Sequence, residues 1–383
     1  MTRVNESDAT LKDAQKAMQA GNFPAASAIA QQVLSDQPAH QDALYIAAVC
    51  ARYEGRHADA ADWLADLKAT APDFGRAFQE EGHLKRKLGD VPGALRAYQI
   101  ATRYNPALSA SWTAQADLLA TLGDSDAAMI ARTQAERLAA LPRELLAVIN
   151  HVHEGRIFRA EEIARAFLQR HPTHVEGMRL LADIGTRLGV HEDADFLLES
   201  AIELEPDNIQ LRLDYIHVLR KRQKFTESLA QARDLVARDP NNPLFQSYFA
   251  IESMQAGDFE TALAQFDEIL TKLPDDPATL VSRGHALKTH GRSDDAIASY
   301  RAATQAEPGQ GDAWYGLANL KTYRFNDDEL AVLERQAGAQ DLDQMSRIHI
   351  AFTLGKAYED RSDFESAFQA FALGNKLKHQ TVR

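Results

Sequence analysis

Prolines recur at a fixed interval along this 383-residue chain. Their period of about 34 residues is typical of repeats in which pairs of helices stack on their neighbours. Two series keep this period: Pro38, Pro72 and Pro106, then Pro172, Pro206, Pro240, Pro274 and Pro308. The interval from Pro106 to Pro172 is two residues shorter than two full periods, so one repeat near the middle is short.

Glycines follow the same period and locate the short repeat. Their positions are Gly21, Gly55, Gly89, Gly123, Gly155, Gly189, Gly257 and Gly291, with Gln223 in the remaining glycine position. Glycine permits the tight turn that ends a first helix, whereas proline ends a second helix because it has no N–H and clashes with the preceding turn. The interval from Gly123 to Gly155 falls two residues short of a full period, so the two missing residues lie between them.

Apolar residues between these marks follow helical spacing, and a glycine turn divides them into two groups. The pattern resembles the tetratricopeptide repeat. The matching residues are the small residues Gly82, Ala250, Gly284 and Gly355, the tryptophans Trp112 and Trp314, and the second-helix aromatics Tyr98, Phe266, Tyr300 and Phe371. The resemblance implies an all-α fold, a right-handed superhelical solenoid of antiparallel helix pairs that binds a protein or peptide in its concave groove.

The repeat marks also predict how the chain is divided. We expect an N-terminal tail at residues 1–6 and nine repeats over residues 7–310, with the short one at 109–140. Residues 311–347 lose the glycine turn and are expected to form a divergent repeat or join, and residues 348–383 a final repeat. Because its last helix is apolar and uncapped, we expect a downstream domain or partner to dock there. The predicted docking residues are Phe364, Phe368 and Leu377.

Composition limits the partners and the compartment. The net charge of −13 disfavours nucleic acid, since such binding depends on Lys and Arg neutralising phosphates. Cys50 is the single cysteine, which excludes an intramolecular disulfide and suits a reducing compartment. The first residues are polar, unlike a secretory signal, and no apolar run is long enough to span a membrane. These features predict a cytoplasmic protein without a membrane span.

The sequence contains no catalytic or metal-binding motif of the common kinds, such as a phosphate loop or His-Glu-x-x-His. His83, His217 and His285 each occupy the ninth position of a repeat. They lie two or more repeats apart, and packed helix axes are about 8–10 Å apart, so they cannot share one metal ion. We therefore predict a non-enzymatic chain with no catalytic, cofactor-binding or metal-binding residues.

Basic side chains are common on the face that the resemblance assigns to the groove. The candidate ligand-binding residues are Arg86, Lys87, Arg179, Arg187, His217, Arg220, Lys221, His285, Lys288 and Asn319. Cations in a concavity favour an anionic partner, which predicts binding of an extended acidic segment. The alternative is a solvated face whose cations near helix C-termini interact favourably with the helix dipoles.

The C-terminal part resembles one more specific family. The strings at 314–325 and 347–358, with Asp363, Phe364, Gly374 and Asn375, are similar to the join in bacterial proteins where a tetratricopeptide array precedes a sulfotransferase domain. In that family the following domain binds 3'-phosphoadenosine 5'-phosphosulfate, through a loop that is missing here. The resemblance implies a non-catalytic arm that recruits the substrate of a sulfotransferase. The alternative is a free-standing adaptor for assembling protein complexes.

Overall fold

The computed structural model describes residues 2–339 and 342–381, with side chains from Thr10 onward. These residues form 22 helices and no strand, which confirms the all-α fold. They group into two compact units, Met1–Val190 and His191–Arg383.

The first compact unit contains eleven helices. They are α1 (Thr2–Gln19), α2 (Phe23–Asp36), α3 (Gln41–Tyr53), α4 (His57–Thr70), α5 (Gly75–Lys87), α6 (Val91–Tyr104), α7 (Ser109–Leu122), α8 (Ser125–Ala139), α9 (Arg143–His153), α10 (Ile157–Arg170) and α11 (Val175–Arg187). Helix α1 begins at Thr2, so the residues 2–6 that the sequence assigned to a tail are helical.

The second compact unit also contains eleven helices among its described residues. They are α12 (His191–Leu204), α13 (Ile209–Lys221), α14 (Phe225–Arg238), α15 (Pro243–Gln255), α16 (Phe259–Lys272), α17 (Pro277–Thr289), α18 (Ser293–Ala306), α19 (Gly311–Ala318), α20 (Asp327–Ala337), α21 (Gln344–Asp360) and α22 (Phe364–Gln380). Helix α19 has only 8 residues, and an irregular segment with buried Phe325 separates it from α20.

The turns between paired helices have the backbone conformation that the glycine spacing predicts. Eight glycines have φ of 73° to 87°, a left-handed region that side chains disfavour. Gln223 and Ser362 adopt the same conformation, with φ of 58° and 61°. At these two turns the geometry of the repeat is retained at the cost of backbone strain.

The prolines determine how the chain leaves each second helix. Proline disfavours the helical region for the residue before it. The residues directly before these prolines have φ of −131° to −144°. Ala140 follows α8 one full period after Pro106, so an alanine stands where the earlier repeats have proline, and α8 is one residue longer than α6. Ala140 accordingly keeps a helical conformation, with φ −75° and ψ −16°. The chain therefore leaves α8 in a different direction.

The two missing residues are lost from α9, which begins at Arg143, so the short repeat lies after the predicted range 109–140. This helix has 11 residues, whereas the first helices α3, α5 and α11 have 13 each. In the earlier repeats each second helix packs on the next first helix, as α6 does on α7, but α8 has no comparable packing against α9. Helices α9 and α10 pack on each other and on α11. Stacking in the first compact unit is thus interrupted after α8.

Candidate functional site

A basic cavity lies at the C-terminal ends of α3 and α5. Arg52 and Tyr53 of α3 and His83, Arg86 and Lys87 of α5 line a volume of about 490 Å³, which we call the basic pocket. The sequence predicted Arg86 and Lys87 as ligand-binding residues, and the fold brings them together with Arg52. These cations belong to the last turns of their helices, where positive charge interacts favourably with the negative end of the helix dipole.

The cations of the basic pocket differ in how firmly they are held. Arg52 Nε donates to Glu80 Oε2 at 2.8 Å, and its guanidinium lies 4.2 Å above the Tyr53 ring. Arg86 is exposed and only loosely paired, with Nη2 3.8 Å from Asp117 Oδ2. Lys87 is exposed and has no ion pair within the described part of the chain. The basic pocket therefore presents Arg86 and Lys87 to solvent beside a fixed Arg52.

His83 forms part of a structural pair. Its Nδ1 lies 2.7 Å from Tyr98 Oη, and burial lowers the pKa of its imidazole below the usual range. His285 and Tyr300 repeat this arrangement at 2.8 Å. The residue before each histidine is a glycine that packs against the tyrosine ring. A Cβ added at Gly82 would lie 2.6 Å from the ring of Tyr98. The sequence signal is a Gly-His dipeptide with a tyrosine in the helix that follows, which the sequence analysis missed.

Three of the other predicted groove cations are paired within their own compact unit. Arg179 forms an ion pair with Glu176 at 2.7 Å, and Arg187 forms one with Asp183 at 2.9 Å. Arg220 Nε donates at 2.9 Å to Glu252, whose side chain is fully buried. Arg220 was predicted to bind a ligand, but its observed partner is this internal carboxylate.

The remaining groove candidates belong to the second compact unit and are exposed. Lys221 and Lys288 are exposed in the last turns of α13 and α17, and His217 is exposed on α13. Asn319 is exposed at the C-cap of α19. Arg86 and Lys87 are candidates that line one cavity together with a further cation, Arg52.

The turn between α9 and α10 reaches back to the start of the first compact unit. Glu154 forms an ion pair with Arg76 of α5, and Arg156 forms one with Asp42 of α3. Asn150 Oδ1 accepts a hydrogen bond from Asn105 Nδ2 at 2.8 Å. These contacts, which we call the clasp, join residues up to 114 positions apart. The glycine spacing places the two missing residues between Gly123 and Gly155, but no sequence pattern predicts the clasp.

The clasp encloses a second cavity. Its volume is about 220 Å³, and Tyr45, His151 and the ion-paired residues of the clasp line it. Burial raises the pKa of the Tyr45 hydroxyl to about 12, so this group remains a neutral hydrogen-bonding group at neutral pH. The Glu154 side chain is only 4% exposed. The clasp therefore occupies part of the face formed by α3 and α5 and leaves the basic pocket open.

The predicted C-terminal docking surface is only partly exposed. Phe364 and Phe368 are 69% and 75% exposed on α22. Leu377 is buried, so its assignment to an exposed surface is wrong. It lies on the side of α22 that packs against α21, where Phe371 also contacts Gly355.

Two features are absent from the described part of the chain. No three His, Cys, Asp or Glu side chains of residues 10–339 and 342–381 converge in the manner of metal ligands. None of the helices in these ranges is long and apolar enough to cross a membrane.

Family comparisons agree with the helix pairs. The tetratricopeptide repeat family matches residues 11–73, 80–140 and 281–321, and the cytochrome c-type biogenesis protein H TPR domain matches residues 164–280. The chain is a tetratricopeptide repeat protein. Such repeats are scaffolds for protein–protein interaction and have no catalytic centre of their own in general.

Individual relatives match parts of the chain. Protein CTR9 homolog of Arabidopsis thaliana is 29% identical over 36% of this chain and 13% of its own length. Protein O-mannosyl-transferase TMTC1 of Homo sapiens is 25% identical over 44% of this chain and 20% of its own length. The chain thus spans a fifth or less of these curated relatives. The solved structure of MamA from Desulfovibrio magneticus RS-1 is 13% identical, with a TM-score of 0.40, and covers 45% of this chain and 99% of MamA.

Proposed function

We propose that this protein is a non-catalytic scaffold that binds an acidic segment of a partner protein at the basic pocket. The observation that carries the proposal is the exposure of Arg86 and Lys87 beside the fixed Arg52 in one cavity of about 490 Å³. His83 is bonded to Tyr98, and its lowered pKa keeps it neutral at pH 7. Anion binding therefore depends on the two exposed cations and on Arg52.

The clasp limits the length of the segment that can bind. A groove that was open from α3 to α9 would accept an extended peptide along several repeats, but the α9–α10 turn covers Arg76 and Asp42. The segment that we propose is consequently short, with two or three carboxylates opposite the basic pocket. Exposed ion pairs contribute about 0.2–1 kcal/mol each and are screened by salt, so we expect weak binding that falls steeply with ionic strength.

The test uses a fluorescein-labelled hexaglutamate peptide and fluorescence anisotropy. Wild-type protein should give saturable binding at low salt, and Arg86→Glu/Lys87→Glu should weaken it about tenfold or more, because two attractions become repulsions. Lys221→Glu is the matched control, since Lys221 is also an exposed cation in the last turn of a first helix. Equal affinity of the double variant and wild type would contradict the assignment of the basic pocket.

A finer proposal concerns the protein that the scaffold serves. The resemblance of residues 314–325 and 347–358 to sulfotransferase-linked arrays supports a role in recruiting the substrate of a sulfotransferase domain. The match of residues 164–280 to a domain of cytochrome c-type biogenesis proteins supports instead an adaptor that assembles proteins. The cytoplasmic location stays a prediction in either case.

The reading frame beyond codon 383 distinguishes these two roles. A loop for 3'-phosphoadenosine 5'-phosphosulfate in that frame would support the recruiting arm, and its absence would support the adaptor. In calorimetry with this donor we expect no binding heat from the present chain, because the donor loop is missing from its sequence. Micromolar binding of the donor would contradict the non-catalytic assignment.

A further inference from the structure

The interruption after α8 leaves one stacking surface without its usual neighbour. Between α7 and α8 there is a cavity of about 230 Å³, lined by Ala116 of α7 and by Arg132, Ala135, Glu136 and Ala139 of α8. We call it the vacant slot. Met129 of α8 is 64% exposed, whereas Leu95, which stands one full period earlier on α6, is partly buried against a cluster that includes Ala116 and Leu119 of α7. Asp117 of α7 also lines the vacant slot and lies 3.8 Å from Arg86, so the slot adjoins the basic pocket.

The preceding repeat shows what normally fills such a slot. Tyr98 and Ala101 of α6 are fully buried, and Tyr98 belongs to one apolar cluster with Ala114 and Leu118 of α7. Gln115 of α7 donates to Tyr98 O at 3.1 Å and to Thr102 Oγ1 at 3.0 Å. The natural occupant of this surface is therefore a helix that carries small and apolar side chains along one stripe.

In its small residues the vacant slot resembles the α6 surface that α7 covers, but it carries different polar groups. One full period after Tyr98, Ala101 and Thr102, the chain carries Arg132, Ala135 and Glu136 respectively. Alanines at 116, 135 and 139 allow a helix to approach closely. Arg132 and Glu136 are exposed, and neither has an ion pair within the described residues. An occupant with a carboxylate opposite Arg132 and an N–H donor opposite Glu136 would satisfy both.

The chain's own next helix does not supply this occupant. Leu145, Val148 and Val152 of α9 are buried in the α9–α10 pair, and α9 is turned toward the clasp. A second copy of this chain is disfavoured because each copy has a net charge of −13. The lack of an ion pair at Arg132 and Glu136 among the described residues, together with the alanines that line the slot, indicates that the occupant is a helix of a different protein.

We propose that the vacant slot binds one amphipathic helix of a partner protein, with an apolar stripe against Met129 and Ala135 and a carboxylate opposite Arg132. The partner helix would take the place that α7 takes on α6. This mode of binding buries an apolar stripe in a preformed groove and needs no rearrangement of α7 or α8.

The probe is a fluorescein-labelled peptide of residues 107–123, which include α7, with Ala114→Glu to place a carboxylate opposite Arg132. Anisotropy with the full chain should show saturable binding. Ala135→Trp should weaken binding about tenfold or more, because the added ring fills the slot. Ile130→Trp adds the same ring to the opposite side of α8 and should leave affinity unchanged. Absence of binding to wild type, or equal effects of the two tryptophans, would overturn the proposal.

A charge exchange tests the contact with Arg132. Arg132→Glu should weaken binding of the Ala114→Glu peptide and strengthen binding of a peptide with Ala114→Lys. If the variant prefers the same peptide as the wild type, the contact with Arg132 is overturned. Sedimentation velocity of the chain alone tests whether a second copy of the chain occupies the slot. We expect no dimer that depends on the slot, and a concentration-dependent dimer that Ala135→Trp abolishes would assign the slot to a second copy instead.

Discussion

Arg220→Ala distinguishes a structural role of this arginine from a role in ligand binding. Glu252 is fully buried and accepts hydrogen bonds from Arg220 Nε at 2.9 Å and from Ser228 Oγ at 2.6 Å. Breaking a buried ion pair by removing one partner costs about 3–5 kcal/mol, because the other charge loses its compensation. The Arg220 side chain is one-third exposed, so water can replace part of its interaction, and we expect a loss of about 2–3 kcal/mol.

Urea denaturation followed by far-UV circular dichroism measures this loss as a lower transition midpoint. Arg187→Ala is the matched control, because Arg187 pairs with a half-exposed Asp183 one turn away and should contribute less than about 0.5 kcal/mol. The double variant Arg220→Leu/Glu252→Leu should recover much of the stability, since no buried charge is left unpaired. A change below about 0.5 kcal/mol for Arg220→Ala would refute a structural role for this ion pair.

Two further perturbations test local features of the repeats. Gln223→Gly should stabilise the protein by about 1 kcal/mol and raise its melting temperature, because the φ of 58° disfavours a side chain; an unchanged or lower temperature would contradict this. Burial lowers the pKa of His83 and His285 in the folded state, so stability should be fully present above the unfolded pKa of about 6.5 and fall as the pH drops below it. Urea midpoints measured from pH 7.5 to 5 should show this decline, and a reduced slope in His83→Asn/His285→Asn would assign it to the two histidines.

The regular part of the fold could be predicted because its determinants are local. A left-handed turn favours glycine, and proline favours an extended conformation of the residue before it, so each glycine or proline restricts the backbone dihedrals at its own position. The positive φ of Gly123 and the extended Asn105 before Pro106 follow from these rules. Because each signal acts at its own position, it can be recognised in the sequence wherever the corresponding turn occurs in the structure.

The candidate site was predictable only in part, because it depends on contacts between distant residues. Arg86 and Lys87 are adjacent in sequence, and their exposure on α5 was expected. The burial of Glu252 beneath Arg220 was not expected, since 32 residues separate them and no pattern marks the carboxylate as internal. The loss of two residues between Gly123 and Gly155 was visible in the sequence. The interruption of stacking that accompanies it depends on Ala140, which keeps a helical conformation because no proline directly follows it.

Cysteine cross-linking of Arg76→Cys to Glu154→Cys tests most directly whether the α9–α10 turn lies on α5. In uninterrupted stacking these positions would be two repeats apart, about 16–20 Å from the spacing of helix axes. A short bismaleimide would not bridge that distance. Cys50 is buried, and burial raises its thiol pKa to about 11, so the native cysteine should not react.

The pair Gln210→Cys/His290→Cys is the matched control, because these residues occupy the equivalent repeat positions in the second compact unit, where stacking from α13 to α17 is regular. We predict an intramolecular cross-link, seen by peptide mapping, for positions 76 and 154 and none for positions 210 and 290. Equal cross-linking of both pairs, or no product at 76 and 154, would contradict the clasp.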